Sequence, residues 1–151
     1  MEIDNFRRYF DWVHRMTVDF VVAVPDDKWD FTPHPRFGPF CKQLRHVVNA
    51  RGVYNAAMVS RTVDWTQRHH TGPLTREALL EALVDKHREF LATLETVDTE
   101  STIDIGGTPL PFDAFACELV HHEAIHHGQW SLYASLGAFE TPPSWQTGWK
   151  L

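Results

Sequence analysis

The sequence predicts an all-α protein: a four-helix bundle with a long loop after the first helix and a small hairpin before the last. Three observations lead there. Four long segments carry apolar residues at three- and four-residue spacing, the period of an amphipathic helix. Strand signal is confined to the short stretch 102–111. The length, 151 residues, suits one domain, 1–151, with enough chain to bury a core unaided by staples.

The first helix is expected over 3–24, with its stripe at Phe6, Phe10 (or Tyr9), Val13, Met16, Phe20 and Val24, and Pro25-Asp26-Asp27 stops it. Residues 25–39 hold Pro25, Pro33, Pro35, Gly38 and Pro39. They predict an ordered loop whose Trp29, Phe31 and Phe37 pack on the bundle. That loop is long enough for a crossover, so helix order alone does not settle the topology. A second helix is expected over 40–61 and a third over 75–96. Thr75 is the third helix's N-cap, Ala78 stands where a capping box needs Glu, and the stripe is Leu80, Leu83, Val84, Phe90, Leu91 and Leu94. Alternation around Gly106-Gly107 predicts the hairpin. The fourth helix runs from Pro111 or Phe112 to 136, with Gly137 as its C-terminal cap. The tail from Glu140 onward, with its Pro and Trp residues, is expected to be loop.

Hydrophobic residues make up 43% and charged residues 23%, an ordinary globular balance. The net charge is −6 and Lys and Arg form no run, which argues against a nucleic-acid partner. Cys41 and Cys117 make no CxxC pair and no disulfide framework, which fits a reduced, cytoplasmic setting. The start, Met1-Glu2-Ile3-Asp4, has no apolar signal core, and no apolar stretch reaches the roughly 20 residues a membrane span needs.

The chemistry lies in the ten histidines. The core-facing stripe of the fourth helix reads Phe115, Leu119, His122, His126, Tyr133 and Leu136, with Gln129 or Trp130 filling the gap. Residues four apart are neighbours on a helix, so the His122 and His126 imidazoles can reach one metal ion. A single histidine on such a stripe is usually a hydrogen-bonded core residue. Two of them both need partners when buried, and one ion serves both. A third ligand must come from another helix: His46 heads a stripe with Ala50, Val53 and Ala57, and His87 interrupts the third-helix stripe, and periodicity does not choose between them. His14 lies beside the first-helix stripe. His34, His69 and His70 fall in loops and are expected in solvent. His121 and His127 point about 100° away from the ligand pair, toward the rim or surface.

The segment His122-Glu123-Ala124-Ile125-His126-His127-Gly128-Gln129 resembles the terminal metal motif of the DinB/YfiT-like family, two helical histidines before Gly-Gln. Leu44-Arg45-His46-Val47-Val48 resembles its earlier single-histidine motif. The Val24-to-Trp29 loop and the closing Leu136-Gly137 with Pro142-Pro143-Ser144-Trp145 are similar too. The resemblance implies a four-helix bundle with a three-histidine site for zinc, nickel or a similar divalent ion, and hence His46, His122 and His126 as ligands. In this chain His127 stands where the family often has Arg.

Three neutral histidines leave coordination positions open, the mark of a catalytic site. The resemblance implies an enzyme acting on a small molecule, by thiol transfer or isomerisation with a low-molecular-weight thiol, or by hydrolysis. A homodimer is a further expectation. The alternatives are a non-catalytic metal-binding or stress-response bundle and, through the HExxH pattern of 122–126, a peptidase with Glu123 as general base. No downstream GxxH follows that pattern. Glu123 is otherwise a polar-flank residue or a hydrogen-bond partner of a ligand imidazole, and Gln129 is placed to do the same or to touch substrate. Tyr54, Tyr133, Cys41 and Cys117 read more simply as packing residues.

Overall fold

On the first helix Phe6, Phe10, Val13, Met16 and Phe20 are all buried, so the predicted stripe is the surface that docks it. The computed structural model describes residues 2–150, and this helix is α1, Ile3–Ala23. It stops because Val24 precedes Pro25 and takes an extended conformation, as residues before proline do. Its last carbonyls find a partner from elsewhere in the chain. The Arg76 guanidinium donates to Val21 O and Val24 O, each at 2.6 Å, and lies over the Trp29 ring at 4.8 Å.

After a single 3₁₀ turn at Asp26–Lys28 come α2, Phe40–Ser60, and α3, Arg76–Leu94, with the Thr75 hydroxyl accepting from Ala78 N–H as its cap. Strands β1, Thr102–Ile105, and β2, Thr108–Pro111, pair antiparallel in the register Thr102↔Pro111 to Ile105↔Thr108. Gly106 and Gly107 both have positive φ, as their two-residue turn requires. The chain just after α2 adds to this hairpin through a parallel bridge, Thr62 to Asp104. Then follow α4, Phe112–Gly137, and a short α5, Pro143–Trp149. Among the described residues no helix is long and apolar enough to cross a membrane.

Both α1 and α2 pack on α3 and on α4. These two consecutive helices therefore stand diagonally across the bundle, and loop 25–39 is the crossover between them. The apolar core falls into two clusters. One gathers Phe6, Phe10, Val53, Phe90 and Phe115, the other Phe20, Phe40, Leu83, Trp130 and Trp145. Each of the four helices changes from one cluster to the other at a polar waist made of His14, Thr17, Arg51, His87, Glu123 and His127.

Several expectations need correction. The tail is not all loop: Pro143 opens α5, which buries Trp145 in the cluster of Phe20 and Trp130 with its indole N–H on Met16 O. The left-handed residue closing α4 is Ala138 rather than Gly137. Leu136 is 63% exposed and Val84 39%, while Ala134 and Leu83 near them on the same helices are buried. His127, expected at the rim, is buried.

Candidate metal centre

The α2 and α4 backbones run side by side, and three imidazoles converge between them. His46 Nε2 and His122 Nε2 are 3.0 Å apart. His126 joins them one turn further along α4, and one nitrogen from each of the three lies within 4.8 Å of the others. Two nitrogens bound tetrahedrally to zinc at 2.0–2.1 Å are about 3.4 Å apart, so the His46–His122 pair would open slightly and His126 draw in for an ion to seat among them. His46 is exposed, His122 partly buried and His126 buried, so the cluster is reached from the His46 side.

All three rings favour the neutral, lone-pair-bearing form that a metal requires. Burial lowers the His46 pKa. Burial and the neighbouring His46 lower that of His122, and burial with both neighbours takes His126 down to about 4. His126 Nδ1 lies 3.1 Å from Gln43 Oε1. An amide oxygen can only accept, which puts the proton on Nδ1 and leaves Nε2 for an ion. Gln129 stands beside His126, and its side-chain amide partly offsets the lowering of that imidazole's pKa. The His122 ring is walled by Tyr54 and Trp65, with centroids at 5.9 and 6.0 Å. The donor set, its protonation and its spacing all fit a divalent transition ion.

His87 does not join this group. It lies across the bundle with Nε2 on Asp11 Oδ1 at 2.7 Å and its ring stacked on His14 at 3.9 Å. Glu123 points about 100° away from its neighbour His122 on α4. Its carboxylate is 2% exposed and takes Arg51 Nε at 2.9 Å, Arg51 Nη2 at 2.5 Å and the Thr17 hydroxyl. Burial opposes the charge on Glu123, but the Arg51 guanidinium outweighs it and holds the carboxyl well below the usual range. The place expected to hold a general base is thus filled by a buried, ion-paired carboxylate, and no imidazole of the cluster bonds to it. His127 bonds the Thr17 hydroxyl at 2.8 Å among Trp130, Trp145 and Trp149. The Tyr133 hydroxyl donates to Gly38 O and the Cys41 thiol to Asp30, so neither turns to the cluster. His121 is exposed, as are His34 and Cys117, while His69 and His70 are half-buried rather than in open solvent.

Sequence reasoning passed over Gln43, Arg51 and Trp65. Gln43 lies one turn before His46 on α2, a spacing that could have flagged it. Arg51 sits among apolar residues on the same helix, and Trp65 carries no local signal.

Comparison with known proteins agrees with this architecture. The family model of the DinB superfamily matches residues 9–130. A DinB-like protein of Bacillus cereus superposes with a TM-score of 0.77 at 17% identity, over 92% of this chain and 95% of that one. One from Bacillus subtilis superposes with a TM-score of 0.74 at 14% identity, over 92% and 96%. No curated protein matches the sequence. The match over residues 9–130 makes this chain a member of the DinB superfamily.

Proposed function

We infer that this chain is a metal-dependent enzyme acting on a small molecule, with zinc or nickel held by His46, His122 and His126. The observation that carries the reading is the convergence of three neutral imidazoles at the edge of a pocket of about 610 Å³, with His46 in its wall. Three protein ligands leave positions for water or substrate. A bound ion would supply Lewis acidity, activating either a water for hydrolysis or a low-molecular-weight thiol for transfer or isomerisation. The chain's own residues prepare the site. Gln43 fixes the His126 tautomer, and Tyr54 and Trp65 keep water from one side of His122. A peptidase would need a carboxylate free to take a proton beside the ion. Glu123 is committed to Arg51, so the small-molecule reading is preferred.

Elemental analysis of wild-type, His122→Ala and His87→Ala protein tests this. About one equivalent of metal is expected in the wild type and in His87→Ala, with loss in His122→Ala. Equal metal in wild type and His122→Ala would sink the assignment. A bound metal leads to a screen of thiol-transfer and esterase substrates with and without chelator.

A further inference from the structure

The chain that leaves α2 folds back along it. Asn49 Oδ1 accepts the backbone N–H groups of His69 and His70 at 2.7 and 2.9 Å. Gly52 lets this loop lie against the helix, since a Cβ there would meet His69 Cγ at 2.2 Å. Loop and helix enclose the pocket that His46 lines. Its charged lining consists of Lys42, Arg45 and Arg68, with no carboxylate, in a chain whose net charge is −6. Neither Lys42 nor Arg45 makes an ion pair or side-chain hydrogen bond among the described residues. Arg68 is held in place by its own turn, with Nη1 donating to the carbonyls of Trp65, Thr66 and Gln67. Asp64, the nearest acid in the loop's sequence, is occupied by the Thr66 N–H and hydroxyl. Trp65, 47% exposed, adds an aromatic wall.

A cleft lined by one sign of charge concentrates ligands of the other sign. Unpaired cations beside an aromatic wall match a molecule with an anionic end and an apolar body. Building on the metal reading above, we propose that the substrate is a small organic anion, with its carboxylate or phosphate received by Lys42, Arg45 and Arg68. Its apolar part lies along Trp65, and its reacting end turns toward His46.

Calorimetric titration with benzoate, phenyl phosphate and the uncharged benzyl alcohol tests this, on zinc-loaded and on metal-free protein. Wild type is expected to bind one or both anions saturably and benzyl alcohol at least tenfold more weakly. The arm that binds distinguishes a carboxylate from a phosphate site. In Arg45→Gln/Arg68→Gln, anion affinity is expected to fall at least about tenfold, as for loss of a charge-assisted hydrogen bond. Metal content should stay unchanged, and Arg45→Lys should keep most of the affinity at low salt. Equal anion affinity in wild type and the double Gln variant, or no anion binding by the wild type, overturns the proposal. If the chain takes up no metal, the metal-dependent activity falls by itself. The metal-free titration still decides the anion site.

Discussion

Arg51 of α2 and Glu123 of α4 form a fully buried ion pair at 2.5 Å, on the same two helices that carry the histidine cluster. Thr17 completes the carboxylate's hydrogen bonds, and Arg51 Nη1 also meets His14 Nδ1 at 2.9 Å. Glu123 follows His122 directly in sequence, so the pair ties the backbone at the cluster to α2.

Removing either partner leaves a buried charge alone. Arg51→Met or Glu123→Leu is expected to cost about 3–5 kcal/mol, and the combined variant to recover most of that. Urea unfolding of the two single variants and the double measures it. Single costs below about 1 kcal/mol would show that the pair does not hold the waist together.

Gln43→Leu removes the acceptor that orients His126. Metal affinity should drop about 10–100-fold with the fold retained, the usual effect of losing a ligand's outer partner. Competition with a chromophoric chelator gives the affinity. An unchanged affinity would mean that Gln43 has no part in holding His126.

Acid should destabilise the metal-free protein well before its carboxylates titrate. Burial and the nearby Arg51 lower His14 from 6.5 to about 3, so between those values the unfolded chain carries a proton that the folded one does not. Stability is therefore full above about pH 6.5 and declines as pH falls toward 3. Between pH 7 and pH 5 the loss is about 1–2 kcal/mol for this histidine. His127, lowered to about 4 chiefly by burial, acts in the same direction. Urea midpoints at the two pH values test this, and equal midpoints would show that His14 keeps an ordinary pKa.

Gly52→Ala places a methyl group against the His69 ring. Overpacking of this kind costs about 1–3 kcal/mol, and His69→Ala in the same chain should relieve it. Thermal unfolding reports the stability, and faster amide exchange confined to residues 62–72 would report displacement of the pocket wall. A Gly52→Ala protein as stable as wild type would mean that the loop does not lie on α2 there.

The four helices are written in the chain, because their apolar periodicity records which face each one buries. The hairpin was legible for a similar reason: Gly106-Gly107 supplies the two positive φ angles that its turn demands. Two of the three histidines of the cluster were legible as well, since the spacing of His122 and His126 is a property of one helix. The remainder depends on contacts between helices. His46 and His87 sit on equally plausible stripes, and their roles separate only because α2 lies beside α4 while His87 faces Asp11 and His14. Periodicity placed Glu123 on a polar flank, but the guanidinium that makes its burial tolerable comes from another helix. Likewise α5 is too short to hold itself together in isolation, and the burial of Trp145 against α1 and α4 makes it a helix. A single strand of sequence records its own periodicity, whereas partners supplied across the bundle exist only once the helices have packed.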